Sequence, residues 1–80
     1  VELPNAMRAA VAALAAGEEP EAVLAQARVR LAAAGFGPID YVALADAASL
    51  EPVRTLASPA RLLVAARLGK TRLIDNMPLT

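Results

Sequence analysis

Apolar residues recur along the first part of the chain with a helical period. Met7, Val11 and Leu14 fall at i, i+4 and i+7 within a run of alanines, which predicts one apolar stripe on a helix over 6–16. Asn5 is placed to cap that helix, because its side-chain oxygen can accept from free backbone N–H groups, and Gly17 is placed to end it. Pro20 suits the first position of a second helix, where its missing N–H costs nothing. Glu18, Glu19 and Glu21 lie near the positive end of that helix dipole, and Arg28 and Arg30 lie towards the negative end. Val23, Leu24, Ala27 and Leu31 form its apolar face, and Gly35 ends it. So short a link predicts antiparallel helices.

After Gly37 and Pro38 the period changes. Ile39–Leu44 reads as a strand, with Val42 and Leu44 on the face opposite Tyr41 and Ala43. Residues 46–60, with Ser49, Pro52, Ser58 and Pro59, read as a loop holding at most a short helical turn. Arg61–Leu68 reads as a second strand, Gly69 and Lys70 as a turn, and Thr71–Met77 as a third strand that Pro78 ends. The expected fold is α+β: two antiparallel helices packed on one face of a small antiparallel sheet of about three strands, one domain over 1–80.

Composition narrows the chemistry. The chain is 58% hydrophobic, but 21 of its 80 residues are alanine, so its core is thinner than that percentage suggests. Acidic and basic residues balance at eight each, which gives no electrostatic footprint for nucleic acid. There is no Cys, so no disulfide or thiolate metal site is available. There is no His, which removes the commonest metal ligand and the commonest general base at neutral pH. No apolar run is long enough to span a membrane, and no signal-peptide pattern is present. The expected setting is the cytoplasm.

Several features invite a functional reading. Gly69-Lys70-Thr71 resembles part of a phosphate-binding loop, but the first glycine of that motif is replaced by Val64, and a strand rather than a helix is expected to follow. A hairpin turn is the preferred reading. Asp40, Asp46 and Asp75 have no spacing that forces two carboxylates together, so structural roles are preferred. Arg61, Arg67 and Arg72 fall on the hairpin and could grip an anion bidentately; the bland alternative is a solvated face with local partners such as Asp75. Met7 and Met77 read as core filler, and Tyr41 as half-buried with its hydroxyl towards a polar partner.

One segment is far more specific. Asp40-Tyr41-Val42-Ala43-Leu44-Ala45-Asp46, then Leu50 and Pro52, then the run from Arg61 to Asn76 that contains Ala65-Ala66-Arg67-Leu68-Gly69-Lys70-Thr71-Arg72-Leu73-Ile74-Asp75-Asn76, closely resembles the end of pantothenate synthetases. In that family a D-Y-x-x-L-x-D strand precedes an A-A-x-L-G-x-T-R-L-I-D-N hairpin. The resemblance covers the whole chain but only the last quarter to third of a family member. It implies an ATP-dependent ligase that condenses pantoate with β-alanine through a pantoyl adenylate. It also implies a Rossmann-type domain, absent here, that holds the H-x-G-H and K-M-S-type motifs. No catalytic residue is therefore carried onto this chain. The small domain resembles a lid hinged near Val1–Asn5, with Lys70 and Arg72 as candidates for substrate contact. ATP and magnesium are expected with the full enzyme and not on this chain. The implied partners are the missing catalytic domain, pantoate, β-alanine and ATP, with neither nucleic acid nor membrane. The competing reading is a free-standing protein-interaction module with the same fold.

A lid separated from its partner exposes the surface it normally covers, and such patches drive association. The chain is expected to self-associate at high concentration. Sedimentation of a strict monomer at every concentration would contradict that expectation.

Overall fold

The fold places the apolar stripes of both helices against one face of the sheet. A computed structural model describes residues 2–53 and 59–79. Their order is α1 (Glu2–Ala15), α2 (Pro20–Ala33), β1 (Ile39–Asp46), β2 (Ala60–Leu68) and β3 (Thr71–Leu79). The strands form one antiparallel sheet in the order β1-β2-β3. α1 packs under β3 and α2 under β1. The helices are antiparallel, since Arg30 near the end of α2 meets Glu2 at the start of α1 at 2.6 Å. The α+β arrangement matches the expectation. Residues 54–58 of the expected loop lie outside the described residues.

Both helices end on glycines that adopt a backbone closed to other residues. Gly17 and Gly35 take φ of 90° and 98°. Glu18 N–H then bonds Ala13 C=O and Gly17 N–H bonds Leu14 C=O; Phe36 and Gly35 do the same to Leu31 and Ala32. This is the Schellman pattern, which satisfies carbonyls the helix leaves unpaired. Phe36 is buried beside Leu31, the apolar contact that accompanies the motif. At the start of α2, the Glu19 carboxylate accepts from Glu21 and Ala22 N–H at 3.1 and 3.0 Å, and Pro20 follows it as expected.

Two boundaries depart from expectation. Asn5 does not cap α1, which begins at Glu2 and runs through Pro4. A proline in the first turn removes an N–H that has no intrahelical acceptor, so it does not break the helix. The extra turn buries Leu3, and Asn5 accepts instead from Arg8 Nη2 at 2.6 Å. Pro78 does not end β3, which continues to Leu79. β3 is an edge strand, where alternate N–H groups face away from the sheet and a proline is tolerated.

The core gathers Leu3, Met7, Leu14, Val23, Leu31 and Phe36 of the helical layer onto Val42, Leu44, Leu62, Val64 and Ala66 of the sheet. Met7 is core filler as expected, and Met77 is partly buried against the same cluster. Leu62, on the central strand, is 0% exposed. Leu62→Ala is expected to lower unfolding stability by about 2–5 kcal/mol in urea titration, because it leaves a cavity in a site that cannot collapse. Val29→Ala, at a residue 63% exposed on α2, is expected to stay within about 0.5 kcal/mol. Equal effects at the two sites would contradict this placement of the core.

Candidate functional site

Among the described residues, one face of the sheet carries no helix. By alternation it presents Tyr41, Ala43, Arg61, Leu63, Arg67, Arg72, Ile74 and Asn76, and the cross-strand pairs Ala65↔Ile74, Leu63↔Asn76 and Arg67↔Arg72 run along it. Ile74 is 61% exposed, and Tyr41 is half-buried. The Tyr41 hydroxyl meets no polar partner among the described residues, contrary to expectation.

The chemistry on this face concentrates at the hairpin end. β2 and β3 join through Gly69 and Lys70, with Leu68 opposite Thr71. Gly69 takes φ 62° while Lys70 stays at negative φ, the sign pattern of a type II′ turn, which asks for glycine first. The phosphate-loop reading falls here, because β3 rather than a helix follows the turn.

Arg67 and Arg72 stand directly opposite each other, and directly opposed partners share a face. Arg67 is anchored through its backbone: its N–H bonds Pro38 C=O at 3.0 Å and its C=O accepts from Gly37 N–H at 2.8 Å. The register between β1 and β2 shifts between Ile39 and Tyr41, which marks a bulge at Asp40. A bulge turns its side chain in a new direction. Asp40 uses it to reach Arg72, whose Nε donates to Oδ2 at 2.8 Å. Their side chains are 42% exposed for Arg72 and 33% for Asp40.

The expected arginine trio is thus divided. Arg61 sits at the other end of β2, opposite Pro78, and its guanidinium donates to Asn76 Oδ1, from Nε at 2.9 Å. The expected pairing of these arginines with Asp75 does not form: Asp75 accepts from the Asn76 N–H at 2.8 Å, and Arg72 turns to Asp40 instead. In an extended strand a residue three positions away lies on the opposite face, so Arg72 and Asp75 point apart. The three aspartates do not converge. Asp46 accepts from the Ala48 and Ser49 N–H groups, closing the turn after β1. What the sequence concealed is the Asp40 bulge, since no turn residue marks it.

Elsewhere the surface offers shallow grooves. One, of about 210 Å³, lies between the helices and is lined mainly by Ala6, Ala9, Ala10, Ala13 and Ala27. Among the described residues, no three His, Cys, Asp or Glu side chains gather where a metal could be held, and no helix is long and apolar enough to cross a membrane.

The fold with this hairpin defines a small α+β unit of two helices on a three-stranded antiparallel sheet, and sequence comparison assigns its family. The family model for pantoate-beta-alanine ligase matches residues 1–78, and the chain belongs to that family. A pantothenate synthetase of Rhizorhabdus wittichii is 63% identical over 75 residues, which are 94% of this chain and 27% of that protein. One from Sphingopyxis alaskensis is 51% identical over the same shares. The crystal structure of a pantothenate synthetase from Thermus thermophilus superimposes with a TM-score of 0.81 at 30% identity, over 94% of this chain and 27% of that one. The chain therefore spans about a quarter of the length of the relatives it matches.

The Arg72–Asp40 pair is solvated, so its contribution is small. Arg72→Ala is expected to lower stability by no more than about 1 kcal/mol in thermal or urea unfolding. A loss several times larger would show that the pair holds the sheet together rather than orienting a surface cation.

Proposed function

We propose that this chain is the C-terminal part of a pantoate–β-alanine ligase and closes over the remainder as a lid. The observation that carries this reading is the family match over residues 1–78, against relatives of which the chain covers 27%. The larger part supplies the nucleotide and substrate sites. In the complete enzyme the pantoate carboxylate attacks the α-phosphorus of ATP and expels pyrophosphate, giving a pantoyl adenylate, and the amine of β-alanine then attacks its acyl carbon and displaces AMP. An acyl adenylate is readily lost to water, so a closing domain protects it and holds the second substrate in line.

The residues of this chain fit that division of labour. It contains no His, and its described carboxylates do not gather into a ligand set, so magnesium is assigned to the larger part. What the chain supplies is an uncovered sheet face ending in Lys70 and Arg72, which we assign as the lid's contacts towards bound substrate. The complete enzyme is assigned to the cytoplasm, where its substrates and ATP are held.

Reconstitution tests the reading. This chain would be mixed with a separately made portion of the Rhizorhabdus wittichii relative, the portion it does not cover. AMP release would then be followed with pantoate, β-alanine and ATP. The expected result is turnover by the mixture and none by this chain alone. Pantothenate formation by the chain alone, or full activity of the larger portion without it, would refute the proposal.

A further inference from the structure

We propose that Arg67 and Arg72, with Lys70 in the adjoining turn, form a binding site for a phosphate-class dianion on the helix-free face of the sheet. The starting observation is a like-charge pair in direct register. Arg67 and Arg72 are cross-strand partners at the end of the β2–β3 hairpin. Like charges placed directly opposite are destabilising unless something neutralises them.

Asp40 neutralises only part of the charge. It takes the Arg72 Nε, leaving the outer N–H groups of that guanidinium for another acceptor. Arg67 has no hydrogen bond or ion pair from its side chain among the described residues, and neither has Lys70. Arg67, Lys70 and Arg72 bring three positive charges to this end of the hairpin, and among the described residues Asp40 is the carboxylate bonded to them, so two positive charges remain. A single carboxylate ligand would leave the site positive, whereas a phosphate-class dianion balances it. Two guanidinium groups also offer planar forks that grip oxyanion oxygens bidentately.

The placement is rigid where it needs to be. The backbone N–H and C=O of Arg67 both bond to Pro38 and Gly37, and the register with β3 sets Arg72 opposite it. Asp40 orients Arg72 through the bulge. Arg61 offers a contrast on the same face, since its guanidinium is taken up by Asn76. In the assembled ligase the bound group would belong to the nucleotide, and that clause rests on the lid reading; the anion site itself is a property of this chain.

The test uses inorganic phosphate as the probe, at neutral pH and moderate chloride. The Nε–H signals of every arginine would be followed by NMR during the titration. The expected result is that Arg67 and Arg72 shift together and saturate in the millimolar range, while Arg8 and Arg61 stay near their starting positions. Arg67→Gln should weaken binding by about tenfold or more, Arg67→Lys should restore part of it, and Arg61→Gln should leave it unchanged. Linear shifts of equal size at all arginines, or an Arg67→Gln titration identical to the parent, would overturn the site. AMP provides a second arm. An affinity well above that of phosphate supports the site with a nucleotide as its ligand, and equal affinities support it with the phosphate group alone as the recognised feature. A chain that ignores phosphate yet restores turnover to the larger portion sinks the site and leaves the lid standing. A chain that binds phosphate yet restores nothing does the reverse.

Discussion

Everything in the fold leans on the burial of β2. It is the central strand, so both of its edges are hydrogen-bonded, and both helices reach the face that it shares with β1 and β3. On that face Leu62 and Ala66 are fully buried and Val64 nearly so. Burying a leucine or valine side chain is worth about 1.5–3 kcal/mol, so a few such residues on one strand supply much of what a chain this short can gather. The alanines of the helices serve the same end. Ala6, Ala10 and Ala27 are buried, and small side chains at these positions let the helices lie close to each other and to the sheet.

The layers are unequal. Two helices cover one face, and nothing among the described residues covers the other. The outer edge of β1 is closed by bonds from Val53 to Leu44 C=O and from Asp46 to Glu51 C=O, and by Arg28 reaching Val42 C=O. Among the described residues no strand pairs with the outer edge of β3, and Pro78 blunts that edge against indiscriminate pairing. Arg67, Arg72, Tyr41 and Ile74 all belong to the uncovered face. The proposed lid would need this combination of a core of its own and a face left for something else.

Much of this was legible in the sequence, for identifiable reasons. α2 was readable because Pro20, Val23, Ala27, Leu31 and Gly35 mark its start, face and end independently. The hairpin was readable because Gly69-Lys70 interrupts two apolar runs. The family was readable because the segment around Arg72 is long and unusual. Other features were hidden by the nature of the forces involved. Pro4 and Pro78 look like breakers until their surroundings are known, since a first helical turn and a sheet edge both excuse a missing N–H. The Arg72–Asp40 contact joins residues 32 apart in sequence through a bulge, and no local rule reports a bulge. Arg72 was therefore paired with the nearer Asp75, although strand alternation turns the two apart. Lys70 and Arg72 stood out in the sequence because of the family segment they belong to, whereas the opposition of Arg67 to Arg72 needed the register.

The proposed lid would move as one body if its helices and sheet form one cooperative unit. Native-state hydrogen exchange on the isolated chain measures this directly. The expected result is that amides of β2, such as Leu62 and Val64, share one highest level of protection with inner amides of both helices, such as Ala10 and Ala27, and that all of them lose it together in denaturant. Helix amides that exchange at close to the unfolded rate while β2 stays protected would contradict a domain that closes as a unit.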